Sequence, residues 1–150
     1  MRSRYEEFTG LISAINRSIQ KIERDEMVKY GFKGAYAQYL AVMNRHPEGI
    51  TSAQLCEMSD RDKAAVSRIV SEMEEKGLVV RESLNDNLYR AKLRLTEEGQ
   101  KAARFVNDRA AAAVYAGGHG LNDDNRKIFY ETLELIAGNL EEVCRSGIPD

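Results

Sequence analysis

The chain is poor in the residues that catalytic and metal centres draw on, with two histidines and two cysteines in 150 residues. His46 and His119 fall in turn-like segments, and neither has a neighbouring Ser, Cys or carboxylate arrangement that suggests a triad or a metal site. No catalytic residue, cofactor or metal ligand is therefore assigned. Cys56 and Cys144 are far apart and in no CxxC pairing; they read as reduced thiols on helices, with a buried structural role favoured over a redox switch. No segment approaches the apolar length of a membrane span, and MRSRYEEFTG is followed by no apolar stretch of signal-peptide length, so a cytoplasmic protein with no membrane partner is expected. A cationic excess is missing too. The formal net charge is −2, so contact with a polyanion would have to rest on a local patch. The glycines at 117, 118 and 120 follow no strand and lack the spacing of a phosphate cradle, which leaves them as a loop.

What the sequence does have is concentrated between residues 50 and 99. Over residues 62–76, Val66, Ile69, Val70 and Met73 recur at i, i+3, i+4, i+7, the spacing of one buried helical stripe. The opposite stripe carries Lys63, Ala64, Ser67, Arg68 and Ser71, with its cations in the first turns and Glu72, Glu74 and Glu75 further on. A solvated amphipathic face accounts for the stripe but not for the segregation of charge along it. A helix that enters a DNA groove by its N-terminal half needs that polarity. Thr51 and Gln54 form a capping-box pattern for a preceding short helix; Ser59 or Asp60 is the candidate cap for the second, and Gly77 its left-handed stop. LVVRES and LYRAKLRLT then read as two strands turning near Asn85, Asp86 and Asn87. In the returning strand Tyr89, Ala91, Leu93 and Leu95 alternate with Arg90, Lys92 and Arg94, giving a core face and a cationic face. From Arg61 to Arg94 eight cations oppose six acids, so placement rather than excess makes the patch useful.

Two short helices, a hairpin with a basic face and a new helix start make a winged helix-turn-helix. DKAAVSRIVSEMEEKGLVVR followed by LRLTEEG resembles the MarR family of bacterial transcription regulators, where a DK-x-x-V-x-R helix, a KGL turn and an LT-x-x-G helix start recur in this order. The resemblance implies a homodimer that binds double-stranded DNA at a pseudo-palindromic operator, often releasing it on binding a small-molecule effector, and a ligand-responsive repressor is expected. It places Lys63, Ala64, Ser67 and Arg68 on the groove-facing part of the recognition helix and Arg81 and Arg94 beside the wing. Ser52, Gln54, Arg61, Arg90 and Lys92 complete the candidate DNA contacts. The wing departs from the family pattern: where an Asp-x-Arg near the tip is common, this chain has Asn85, Asp86, Asn87, Leu88, Tyr89 and Arg90, so Arg90 is shifted in register. A winged-helix protein-interaction module without operator binding is the alternative; the acidic balance and altered wing favour it, and the retained DK-x-x-V-x-R face opposes it.

The expected fold is mainly α with a small β-hairpin wing. It forms a single regulator domain over residues 1–150, with a winged lobe over about 33–96 and helical dimerisation regions over about 3–30 and 97–146. In the first helix Tyr5, Phe8, Ile12, Ile15, Ile19 and Ile22 follow alternating three- and four-residue steps; Phe129, Leu133, Ile136, Leu140 and Val143 do so in the last. These seams suit either packing of the chain's two ends on each other or a second subunit, which we favour because the small central lobe cannot easily cover both. Residues 33–45 read as another short helix with Tyr36, Tyr39, Leu40 and Met43 inward, the two tyrosines being core aromatics rather than ligand contacts. A linking helix runs from about Thr96 through Ala102, Ala103, Val106, Ala110, Ala113 and Val114. Leu121, Asn122 and Asp123 restart the last helix as staple and cap.

Overall fold

The computed structural model describes residues 1, 3–59, 61–83 and 91–150. Its elements run α1 (Arg4–Tyr30), α2 (Tyr36–Asn44), β1 (Ile50–Thr51), α3 (Ser52–Ser59), α4 (Lys63–Glu75), β2 (Val79–Glu82), β3 (Lys92–Leu95), α5 (Glu97–Gly117) and α6 (Asp123–Ser146). The chain divides into two compact units, Met1–Val114 and Tyr115–Asp150.

In the first unit the alternation of apolar and charged residues in the returning strand decides the sheet. Leu93 and Ala91 are buried while Lys92 is exposed, and β3 pairs antiparallel with β2 through Val79 opposite Leu95 and Arg81 opposite Leu93. The other edge of β3 is also paired. Ile50 and Thr51 of β1 lie opposite Leu93 and Lys92, so the sheet has three strands in the order β1-β3-β2 where the sequence predicts a two-stranded hairpin. The turn residues Asn85, Asp86 and Asn87 lie outside the described residues, as do Tyr89 and Arg90.

The helices pack on this sheet through Met27, Tyr36, Leu40, Met43, Leu55, Val66, Val70 and Met73, which with Ile50, Leu78 and Leu93 are almost fully buried. Each such side chain contributes about 1.5–3 kcal/mol relative to exposure. Tyr36 and Tyr39 are core residues, as expected. The short helix that holds them starts three residues later than predicted, because Lys33 and Gly34 instead accept turn bonds from the Tyr36 and Ala37 amides. A long-range ion pair adds to the packing of α1: buried Glu26 takes Lys29 Nζ at 2.7 Å and, from α5, Arg109 Nε at 3.2 Å. These contacts, Lys29 first, hold its carboxyl below the ordinary carboxylate value against the opposing effect of burial.

The start of α5 is pinned to the sheet. Thr96 donates its hydroxyl to the Gly77 carbonyl at 2.6 Å and accepts from the Gly99 amide at 3.1 Å, while its own amide donates to Leu78. Gly99 is needed there, since a Cβ at that position would lie 2.1 Å from the Leu78 carbonyl oxygen.

The second unit holds the end of α5, a glycine turn and α6. Asn122 caps α6, its side chain accepting from the Asn125 amide at 2.8 Å. Arg126 donates to the Gly118 carbonyl at 3.3 Å and lies over the Tyr115 ring, 5.8 Å from its centroid, so the glycines form a loop closed by an arginine. Cys144 is exposed on α6 rather than buried, on a helix whose least exposed residues are only half-buried; Cys56 is half-buried against the core. His46 is half-buried, with Nδ1 3.1 Å from Glu48. Among the described residues, no helix is long and apolar enough to cross a membrane.

Candidate nucleic-acid interface

The first two helices of the motif are built as their capping signals specify, with one change. Thr51 Oγ1 accepts from the Gln54 amide at 3.2 Å and Gln54 Oε1 from the Thr51 amide at 3.0 Å, the reciprocal capping box of α3. Ser52 at the start of α3 is half-buried and Gln54 exposed. The cap of α4 falls to neither candidate. Asp62 takes the role, its carboxylate accepting from the Ala65 amide at 2.7 Å, while the Ser59 hydroxyl donates back to the Leu55 carbonyl at 2.6 Å and closes α3 instead. Asp60 lies outside the described residues. Gly77 ends the segment at a φ of +74°, the left-handed stop the sequence indicates.

On α4, Val66, Ile69, Val70 and Met73 are buried, and Lys63, Ala64, Ser67, Arg68 and Ser71 are exposed together with Arg61 just before it. No described carboxylate forms an ion pair with Arg61, Lys63 or Arg68. The acids at the other end of the helix are otherwise engaged. Glu74 takes Arg81 at 2.9 Å, and Glu72 Oε2 takes both Lys33 Nζ at 2.9 Å and the Tyr36 hydroxyl at 3.0 Å. Lys33, then Tyr36, lowers the Glu72 pKa from its ordinary 4.5; burial, then Glu72, pushes Tyr36 up to about 12. The face therefore offers cations without an ion pair and small side chains at its leading end, with Glu72 and Glu74 of the three acids behind held by cations, which suits approach to a polyanion.

The sheet cations are not equivalent. Arg81 is half-buried and held by Glu74, and Arg94 Nε lies 3.1 Å from Glu82 in an ion pair that lacks hydrogen-bond geometry while its Nη2 donates to the Glu48 carbonyl at 3.1 Å. Lys92 is exposed and has no ion pair with a described residue. Arg90 lies outside the described residues. The sequence reading missed the part of Lys33 and Tyr36 in this surface, because nothing local to the turn before α2 signals a carboxylate 36 to 39 residues away. It also missed Arg24, which with Tyr39, Arg61, Ala65, Arg68 and Ile69 lines a cavity of about 460 Å³ beside α4.

Two capped helices, the second presenting a cationic leading face, followed by a sheet edge and a helix locked to it by threonine, define a winged-helix protein. The MarR family model matches residues 30–86, which hold α2, β1, α3, α4 and β2. Residues 30–86 are thus similar to the MarR family, and the chain has the winged-helix fold seen in solved structures of that family's regulators. Similar solved structures include a MarR-family protein from Listeria monocytogenes complexed with 26mer DNA, at 18% identity and a TM-score of 0.74 over 100% of this chain and 99% of that one. A MarR transcriptional regulator from Methanosarcina mazei Go1 matches at 20% identity and a TM-score of 0.79, over 95% and 94% of the two chains. CouR from Rhodococcus jostii RHA1, bound to p-coumaroyl-CoA, matches at 23% identity and 0.68, over 91% and 96%. No curated protein matches the chain.

Proposed function

We propose that the protein is a sequence-specific double-stranded DNA-binding transcriptional regulator, acting in the cytoplasm as a homodimeric, ligand-responsive repressor on a pseudo-palindromic operator. The observation that carries this reading is the exposed, unpaired set Arg61, Lys63 and Arg68 around the small residues Ala64 and Ser67 at the leading end of α4. Small side chains permit close approach to base edges, an arginine can pair with a guanine edge, and the cations meet phosphates. Ser52, Gln54 and Lys92 extend the contact surface on either side, with Arg81 and Arg94 shaping the sheet that carries Lys92. The Listeria structure with DNA supports the same use of the fold.

Two open seams support the dimer. On α1, Tyr5, Phe8, Leu11, Ile12 and Ile15 are exposed with Ile19 half-buried; on α6, Phe129 and Leu140 are exposed and Leu133, Ile136 and Val143 half-buried. A helix with such a stripe and no buried residue is incomplete alone. CouR's bound thioester supports a ligand response, and the cavity beside Arg68 is where an effector would act on the DNA-binding face most directly.

The test is fluorescence anisotropy of the full chain with labelled duplexes from the DNA upstream of its own gene, competed by random duplex at moderate salt. Retention of one labelled duplex against the competitor is expected. Equal displacement of every duplex would favour the protein-interaction module instead.

A further inference from the structure

Arg68 and Glu72 stand four residues apart on α4, a spacing that puts an arginine and a carboxylate within pairing reach on one helix face. No ion pair joins them. The Glu72 carboxylate is drawn the other way, its Oε2 accepting from both Lys33 Nζ and the Tyr36 hydroxyl across the junction with α2. We propose that Lys33 and Tyr36 are positioning residues for the DNA-binding face: by holding Glu72 they deny Arg68 its nearest intrahelical partner and leave its guanidinium free for DNA. The proposal rests on the reading of α4 as the groove helix.

Three features make the arrangement a fixed one. The Tyr36 ring is 1% exposed, so core packing sets where its hydroxyl points and Glu72 must come to it. Burial keeps that phenol protonated, hence a donor, far above neutral pH. Lys33 adds a charge-assisted bond to the same oxygen, stronger than a neutral one. Released from both donors, Glu72 would be a free carboxylate one turn from Arg68, close to where phosphates are expected. It would draw the guanidinium back along the helix.

The test uses Tyr36→Phe with Lys33→Met, which keep ring volume and chain length, alone and combined with Glu72→Gln or Arg68→Ala. In the free protein, nitrogen-detected NMR of the Arg68 guanidinium should show slowed exchange when Glu72 is released, and no change when Glu72→Gln is added. Duplex affinity should fall roughly threefold in the double variant, and this loss should vanish in either the Glu72→Gln or the Arg68→Ala background. An unaltered Arg68 signal, or an affinity loss that persists with Glu72→Gln, would overturn the proposal, since a merely structural role does not depend on the carboxylate. An Arg68 signal that responds while the parent protein prefers no duplex would leave the tie intact and overturn the regulator reading.

Discussion

A guanidinium whose charge is already matched by a carboxylate gains less from a phosphate, and Arg81, 2.9 Å from Glu74, is in that position. Lys92 is not, and the two should differ by experiment. Lys92→Ala should flatten the dependence of log affinity on log salt by about one unit with sequence preference kept, and Arg81→Ala should change that slope less. Anisotropy titrations across a salt series measure both. Arg68→Ala should weaken binding by roughly 1–3 kcal/mol and relax preference at one base position, if its guanidinium reads a base edge. Unchanged affinity would remove Arg68 from the contact set. The exposed face of α4 was legible from spacing alone, because a buried stripe fixes its opposite. Which cations stay free was not legible. The Arg81 partner lies seven residues earlier and the Arg94 contacts reach Glu82 and, 46 residues back, Glu48, so strand alternation cannot separate these arginines from Lys92.

The α2–α4 junction carries an acid sensitivity of its own. Glu72 has its pKa lowered from 4.5 by Lys33 and then Tyr36, so its charged form is favoured by folding. The stability it contributes is therefore complete above about pH 4.5 and is lost as the pH falls below that through the depressed value. Glu72→Gln should lower the urea midpoint at pH 7 and narrow its gap to the parent protein as the buffer is acidified below pH 4.5. A gap constant with pH would mean that the charge of Glu72 does not contribute. Elements with a long period were readable: α1, α4 and α6 follow their apolar steps. Strand β1 was not, because two residues have no period to detect, and Ile50 and Thr51 become a strand only when Leu93 and Lys92 lie alongside. The cap of α4 was misplaced for a related reason. Ser59, Asp60 and Asp62 are all capping residue types, and the choice among them follows from where α3 ends.

For the molecule as a whole, the apolar seams of α1 and α6 are the feature that the proposed dimer would account for. Leu135 at 64% and Tyr5 at 75% exposure accompany them, an arrangement that a soluble monomer rarely keeps over two long helices. Ile136→Glu places a charge in the α6 seam and should give monomers by light scattering if the proposed dimer forms through that seam; a dimer that persists would place the interface elsewhere. Two-fold pairing would present the Lys63 to Arg68 face twice, at a spacing DNA can report. The most direct measurement is selection of bound duplexes from a random pool by the purified full-length chain. An inverted repeat with half-sites about one helical turn apart is the predicted result, and its enrichment should collapse for Arg68→Ala. A pool that stays random after repeated rounds, or that enriches equally for Arg68→Ala, would contradict the assignment of that face to the major groove.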